Sequence, residues 1–184
     1  MSSRSRGLKL SDVDASAYLY TIATVGMTFA GLSVLTMILR QLLGGRMTKW
    51  DSFVARTWLE LGFMTSFGAI LPPLLILCGV PAPTAWRMSS GAVAVILGSW
   101  ALTFPLRRLA VNATRLPLPV VIFSLAMDIT ALALGANAIV VRGERLPGVY
   151  SAAVTAILVG AAMLFQFAYV HWYDAIIGHE QPGS

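Results

Sequence analysis

Followed from charge to charge, the chain falls into five long apolar stretches. Residues 15–39, 61–86, 88–106, 116–141 and 146–173 hold between them a single Asp, Glu, Lys or Arg, which is Asp128. A helix needs about 20 apolar residues to cross a hydrocarbon core of about 30 Å, and each stretch supplies that number or falls just short of it. The pattern predicts spans at 16–43, 53–80, 88–104, 118–141 and 149–172. Barrel strands alternate apolar with polar residues, and these unbroken runs do not. Without water to pair their peptide groups, such segments are stable only as helices. The predicted class is therefore an all-α integral membrane protein, a bundle of five transmembrane helices.

Little remains outside those spans. Residues 1–15 and 174–184 read as polar tails, and the longest connection is a Pro-bounded basic turn from Pro105 to Pro117. None of these pieces approaches the roughly 40 residues that a small core requires, so residues 1–184 are expected to form a single membrane domain with no soluble domain. The first apolar run follows Asp12 and Asp14, exceeds the length of a signal-peptide core and lacks an Ala-x-Ala cleavage site, so it is expected to be retained as a helix. An odd number of spans without an internal repeat argues against a carrier built from inverted halves.

Composition agrees: 57% of residues are hydrophobic and 11% charged, against about 25% charged in soluble chains. All ten Trp and Tyr residues fall near predicted helix ends, where amphipathic rings anchor at a membrane surface. Bases are divided six to seven between the two sides. Arg40, Arg46 and Lys49 close behind the first span lean the topology towards N-out, C-in, and richness in Ala, Gly and Arg suggests a bacterial-type inner (plasma) membrane. In this setting the net charge of +5 is topology signalling and lipid-headgroup contact, not a nucleic-acid footprint. The single cysteine, Cys78, reads as a packing residue.

Small residues four apart let helix backbones approach closely in lipid. Gly26 and Ala30, Ala94 and Gly98, Ala131 and Gly135, and above all Ala152, Ala156 and Gly160 make such ladders, the last being the best candidate packing face. Pro72 and Pro73 inside the second span offer no N–H to the carbonyls of Gly68 and Ala69, so a kink is expected there.

Chemistry-bearing residues are few. Asp128 sits near the middle of the fourth span, where an acid costs about 2.5 kcal/mol or more and is by default a functional hypothesis. Arg56 and Glu60 stand four apart at the start of the second span and read as an interfacial ion pair. His171, Asp174 and His179 lack ligand spacing for a metal, and no nucleophile motif, phosphate loop or haem-binding His pair is present, so no cofactor, metal or catalytic residue is assigned. The expected function is a non-enzymatic accessory or scaffold subunit, packing against itself as a homo-oligomer or against a membrane-protein partner. Its rival is a small oligomeric proton or cation channel or transporter centred on Asp128, with Glu60, its neighbour Arg56 and the carbonyls exposed at the Pro72–Pro73 break as further candidates.

Overall fold

The computed structural model describes residues 10–42, 48–111, 118–141 and 145–178, with side chains placed for 15–42, 48–111, 118–141 and 145–167. The described residues form five helices: α1 (Leu10–Leu42), α2 (Lys49–Leu77), α3 (Ala82–Ala110), α4 (Leu118–Ile139) and α5 (Arg145–Gly178). All five are long and apolar enough to cross a membrane, with candidate spans of 22 to 29 residues. Expectations placed on residues 1–9 and 179–184, on Arg46, Arg115 and Arg142, and on the side chains of His171, Trp172 and Asp174 lie outside the described residues.

Local chemistry moves several helix ends away from the places where the charges suggested them. α2 starts four residues before Phe53 because Thr48 caps it. The Thr48 hydroxyl accepts from the Asp51 N–H at 3.1 Å, and the Asp51 carboxylate accepts from the Thr48 N–H at 2.8 Å. This reciprocal pair satisfies two N–H groups that a helix start leaves without partners. Arg40 at the end of α1 then reaches the Asp51 carboxylate at 2.7 Å and ties the two helices across their connection. α2 ends in a Schellman turn. Gly79 adopts φ +88°, while the Gly79 and Val80 N–H groups donate to the Ile76 and Leu75 carbonyls at 3.0 Å. A left-handed residue closes that turn, and glycine takes the conformation without strain. Cys78, expected to pack inside, is exposed at this cap.

α3 departs most from expectation. It begins at Ala82, behind a proline at its N-terminal cap, and runs through Pro105 to Ala110 instead of stopping at Phe104. Arg107 and Arg108 therefore belong to a helix and not to a basic turn, which decides what they touch.

Each helix packs on its sequence neighbours, and α5 touches all four others. The closest backbone approach is between α1 and α2. A Cβ added at Gly62 would lie 2.9 Å from the Ala30 Cβ and 3.1 Å from the Gly26 carbonyl, and one at Gly26 would lie 2.7 Å from the Ser66 hydroxyl. Ser66 in turn donates to the Ala23 carbonyl at 3.0 Å. The Gly26–Ala30 ladder thus meets a Gly62–Ser66 ladder. In the α5 ladder only Gly160 is buried. A Cβ there would sit 2.8 Å from the Met127 methyl of α4, whereas Ala152 and Ala156 face outward, because the inward stripe of α5 runs through Leu146, Tyr150, Val154, Ile157 and Ala161.

The aromatic residues also divide. Tyr18 and Tyr20 are exposed, but Trp58, Trp86 and Tyr150 are fully buried in the bundle. Trp58 packs on Phe165 with the rings tilted by 52°, and Trp86 meets the Tyr150 ring edge-on at 5.6 Å. A helix end can turn an aromatic ring inward as readily as outward, and these rings fill core volume instead of anchoring at the outside.

Candidate functional site

Besides the Thr48–Asp51–Arg40 tie, three polar features stand out among the described residues: a carboxylate cluster at one end of the bundle, a proline-tyrosine tie at its centre, and an acid on its outer face.

The first is built by α2 and α3, which run antiparallel so that the start of one lies beside the end of the other. Glu60 Oε1 accepts from Arg56 Nε at 2.7 Å within α2. Its other oxygen accepts from Trp100 Nε1 at 2.7 Å and Arg107 Nη1 at 2.5 Å, both on α3. Arg107 is held further by Thr103 Oγ1 at 3.2 Å and by the Trp100 ring, whose centroid is 5.7 Å from the guanidinium carbon. Charge-assisted bonds of this kind are shorter and roughly twice as strong as neutral ones. Arg56 is the expected partner of Glu60. Trp100 and Arg107 join the site because α3 runs on past Pro105, where the apolar pattern predicts its end. Extended past that proline, Trp100, Thr103 and Arg107 recur at i, i+3 and i+7 on a single face, and that spacing was available to find them.

The second involves Pro72 and Pro73. α2 is continuous through both, and the Gly68 carbonyl, which has no N–H four residues later, accepts instead from the Tyr150 hydroxyl of α5 at 2.6 Å. That carbonyl is thereby occupied by a buried phenol. Nearby, fully buried Asn137 of α4 donates to Ser90 Oγ of α3 at 2.8 Å and to the Leu146 carbonyl of α5 at 3.2 Å, so one amide links three helices.

The third is Asp128. Its side chain is exposed on the outside of α4, and among the described residues it forms no hydrogen bond or ion pair. Hydroxyls of the other spans and of α4 itself are engaged elsewhere. Ser124, Ser33 and Ser99 each donate to a carbonyl of their own helix, and Thr155 pairs with Tyr18 across to α1. Glu60, Arg56 and the proline pair therefore do not share a site with Asp128 within one chain. Around Asp128 the exposed face of α4 reads Val121, Leu125, Asp128, Leu132, Gly135, Ile139, with spacings alternating four and three. That is a 3.5-residue repeat, the seam by which one helix packs along another. On the α5 side of the same helix lies an apolar groove of about 420 Å³, lined by Ile122, Phe123, Ala156, Gly160, Met163 and Phe167. Among the described residues no three His, Cys, Asp or Glu side chains come together as a metal cluster.

No protein-family model matches the sequence, and no curated protein and no solved structure matches it either.

Proposed function

We propose that this chain is a multi-pass membrane protein of the bacterial inner-membrane type, N-terminus outside and C-terminus inside, that serves as a non-enzymatic accessory or scaffold subunit. Its contact surface is the outer seam of α4. The occupant is an apolar membrane-spanning helix that offers Asp128 a hydrogen-bond donor or a base at matching depth. The observation supporting this reading is Asp128 itself. An acid at the bilayer centre costs about 2.5–3.5 kcal/mol on insertion scales, and such residues nearly always face a bundle interior or a water-filled cavity. Here the acid faces outward on a heptad-spaced apolar seam, so a second helix must complete the environment that the chain withholds. A single polar residue on such a seam sets register and partner number, at some expense in stability.

Cysteine cross-linking in native membranes tests this. In a Cys78→Ser background, Leu125→Cys and Leu132→Cys should each cross-link, while Leu74→Cys, exposed on α2, should not. A product of twice the chain mass identifies a second copy; one of another mass identifies a larger complex. In either case Asp128→Leu should replace the defined product by none or by a spread of products. A chain that stays uncross-linked at both seam positions ends the proposal. The rival proton or cation path uses the same residue, since copies arranged about α4 would ring an axis with Asp128. A flux across liposomes that wild type supports and Asp128→Asn abolishes would favour it over the scaffold. A reporter active only outside the cell, fused to the C-terminus, should stay silent; activity reverses the sidedness.

A further inference from the structure

From a different part of the molecule, and resting on the membrane reading above, we infer that Arg56 and Arg107, oriented by Glu60, form a headgroup site for an anionic phospholipid.

The charges do not balance there. Two guanidiniums share one carboxylate, leaving a formal excess of +1 on a site whose members are 73% (Arg56), 28% (Arg107) and 26% (Glu60) exposed. Arg56 gives only its Nε–H to Glu60, so the fork of four Nη hydrogens is left facing outward and aimed by that bond. A planar guanidinium held in place is suited to bidentate recognition of phosphate oxygens. Glu60 therefore acts as a positioning residue: it fixes both bases and leaves the outer edge of Arg56 open.

Apolar surface continues from the same edge. Phe63 and Phe67 follow Arg56 at i+7 and i+11 on one face of α2, each 54% exposed. Eleven residues at 1.5 Å per residue carry this strip about 16 Å from the guanidinium, close to half of a 30 Å hydrocarbon core. Phosphate at one end and an apolar strip one leaflet deep at the other is the outline of a phospholipid. A free phosphate would use only the first part, so the site is assigned to lipid.

The test uses the purified full chain in mild detergent, with dioleoylphosphatidylglycerol, dioleoylphosphatidylcholine or inorganic phosphate as probe, and native mass spectrometry to count retained lipid. Phosphatidylglycerol should be retained and phosphatidylcholine should not. Arg56→Gln should weaken retention about fivefold, the factor corresponding to about 1 kcal/mol for one base at an anionic surface. Arg145→Gln removes the same charge at the opposite end of the bundle, on the exposed first residue of α5, and should change nothing. Equal retention of the two lipids, or equal losses for the two variants, overturns the site. Displacement of the lipid by inorganic phosphate at matched concentration also overturns it, by making it a free-anion site. Alkaline carbonate washing of native membranes keeps the two layers apart. Release of the chain defeats the membrane reading, whereas a retained chain that ignores phosphatidylglycerol defeats only the lipid site.

Discussion

Glu60 and Asp128 are two carboxylates on helices of similar apolar character, and the fold surrounds them very differently. Glu60 receives three charged or polar donors from two helices, while among the described residues Asp128 receives none. The neighbours explain the contrast. Glu60 faces the end of an antiparallel helix whose last turns carry Trp100, Thr103 and Arg107, so the chain itself contains its partners. Asp128 is exposed among the described residues, on a side where the next residues one turn in each direction are Leu125 and Leu132. An acid satisfied internally contributes to the stability of one bundle, and an acid left outside has meaning only for contact with something else.

The largest effect expected from this contrast is at Glu60. Glu60→Ala leaves Arg107 and Trp100 Nε1 without their acceptor and should lower stability by about 2–3 kcal/mol, the usual range when a hydrogen bond to a charged group is lost. Glu60→Gln keeps one acceptor oxygen and should lose about half as much. Unfolding in mixed detergent with a rising fraction of sodium dodecyl sulfate measures both. A Glu60→Ala chain within about 0.5 kcal/mol of wild type would mean that the cluster is a surface ion pair of the weak kind.

A smaller effect concerns the centre of the bundle, where the partner is again internal. Tyr150→Phe removes the hydroxyl that serves the Gly68 carbonyl and should lower stability by about 1 kcal/mol, typical for a hydrogen bond between helices in a bilayer. The cause can be isolated because Pro72→Ala would supply the missing N–H. In that background the same Tyr150→Phe change should lose most of its effect. Two additive losses would show that the hydroxyl and the proline are unconnected.

Much of the fold was readable from charge spacing alone, because apolar runs of about 20 residues leave the backbone no alternative to helix. Helix ends were less readable. Thr48 with Asp51 and the Gly79 turn are local signals that outweigh the placement of the nearest charges, and Pro105 broke the reading of α3 without breaking the helix. Of the polar sites, the Arg56–Glu60 pair was visible because its spacing is local. Its partners on α3 and the Tyr150–Gly68 bond are 40 to 82 residues apart in sequence and depend on which helices pack together. The outward direction of Asp128 was hidden for the same reason. The heptad seam around it was present in the sequence, but a single helix cannot declare which of its faces the rest of the chain will cover.

The smallest expected effect on the chain alone, and the one that most sharpens the comparison, is at Asp128. With no partner to lose, Asp128→Leu should leave the unfolding free energy of the isolated chain within about 0.5 kcal/mol, the range of a surface change away from any special feature. The same substitution converts the seam to uninterrupted apolar residues and removes the polar group proposed to select a partner, so association should lose specificity even where apolar contact persists. Detergent-solubilised wild type should therefore run as a defined complex in a sedimentation experiment, and Asp128→Leu as a monomer or as a spread of species. Glu60→Ala should do the reverse, unfolding earlier without changing which complex forms. If Asp128→Leu destabilised the isolated chain by 2 kcal/mol or more, on the scale expected for Glu60, the acid would have an internal partner after all, and the division between the two carboxylates would fail.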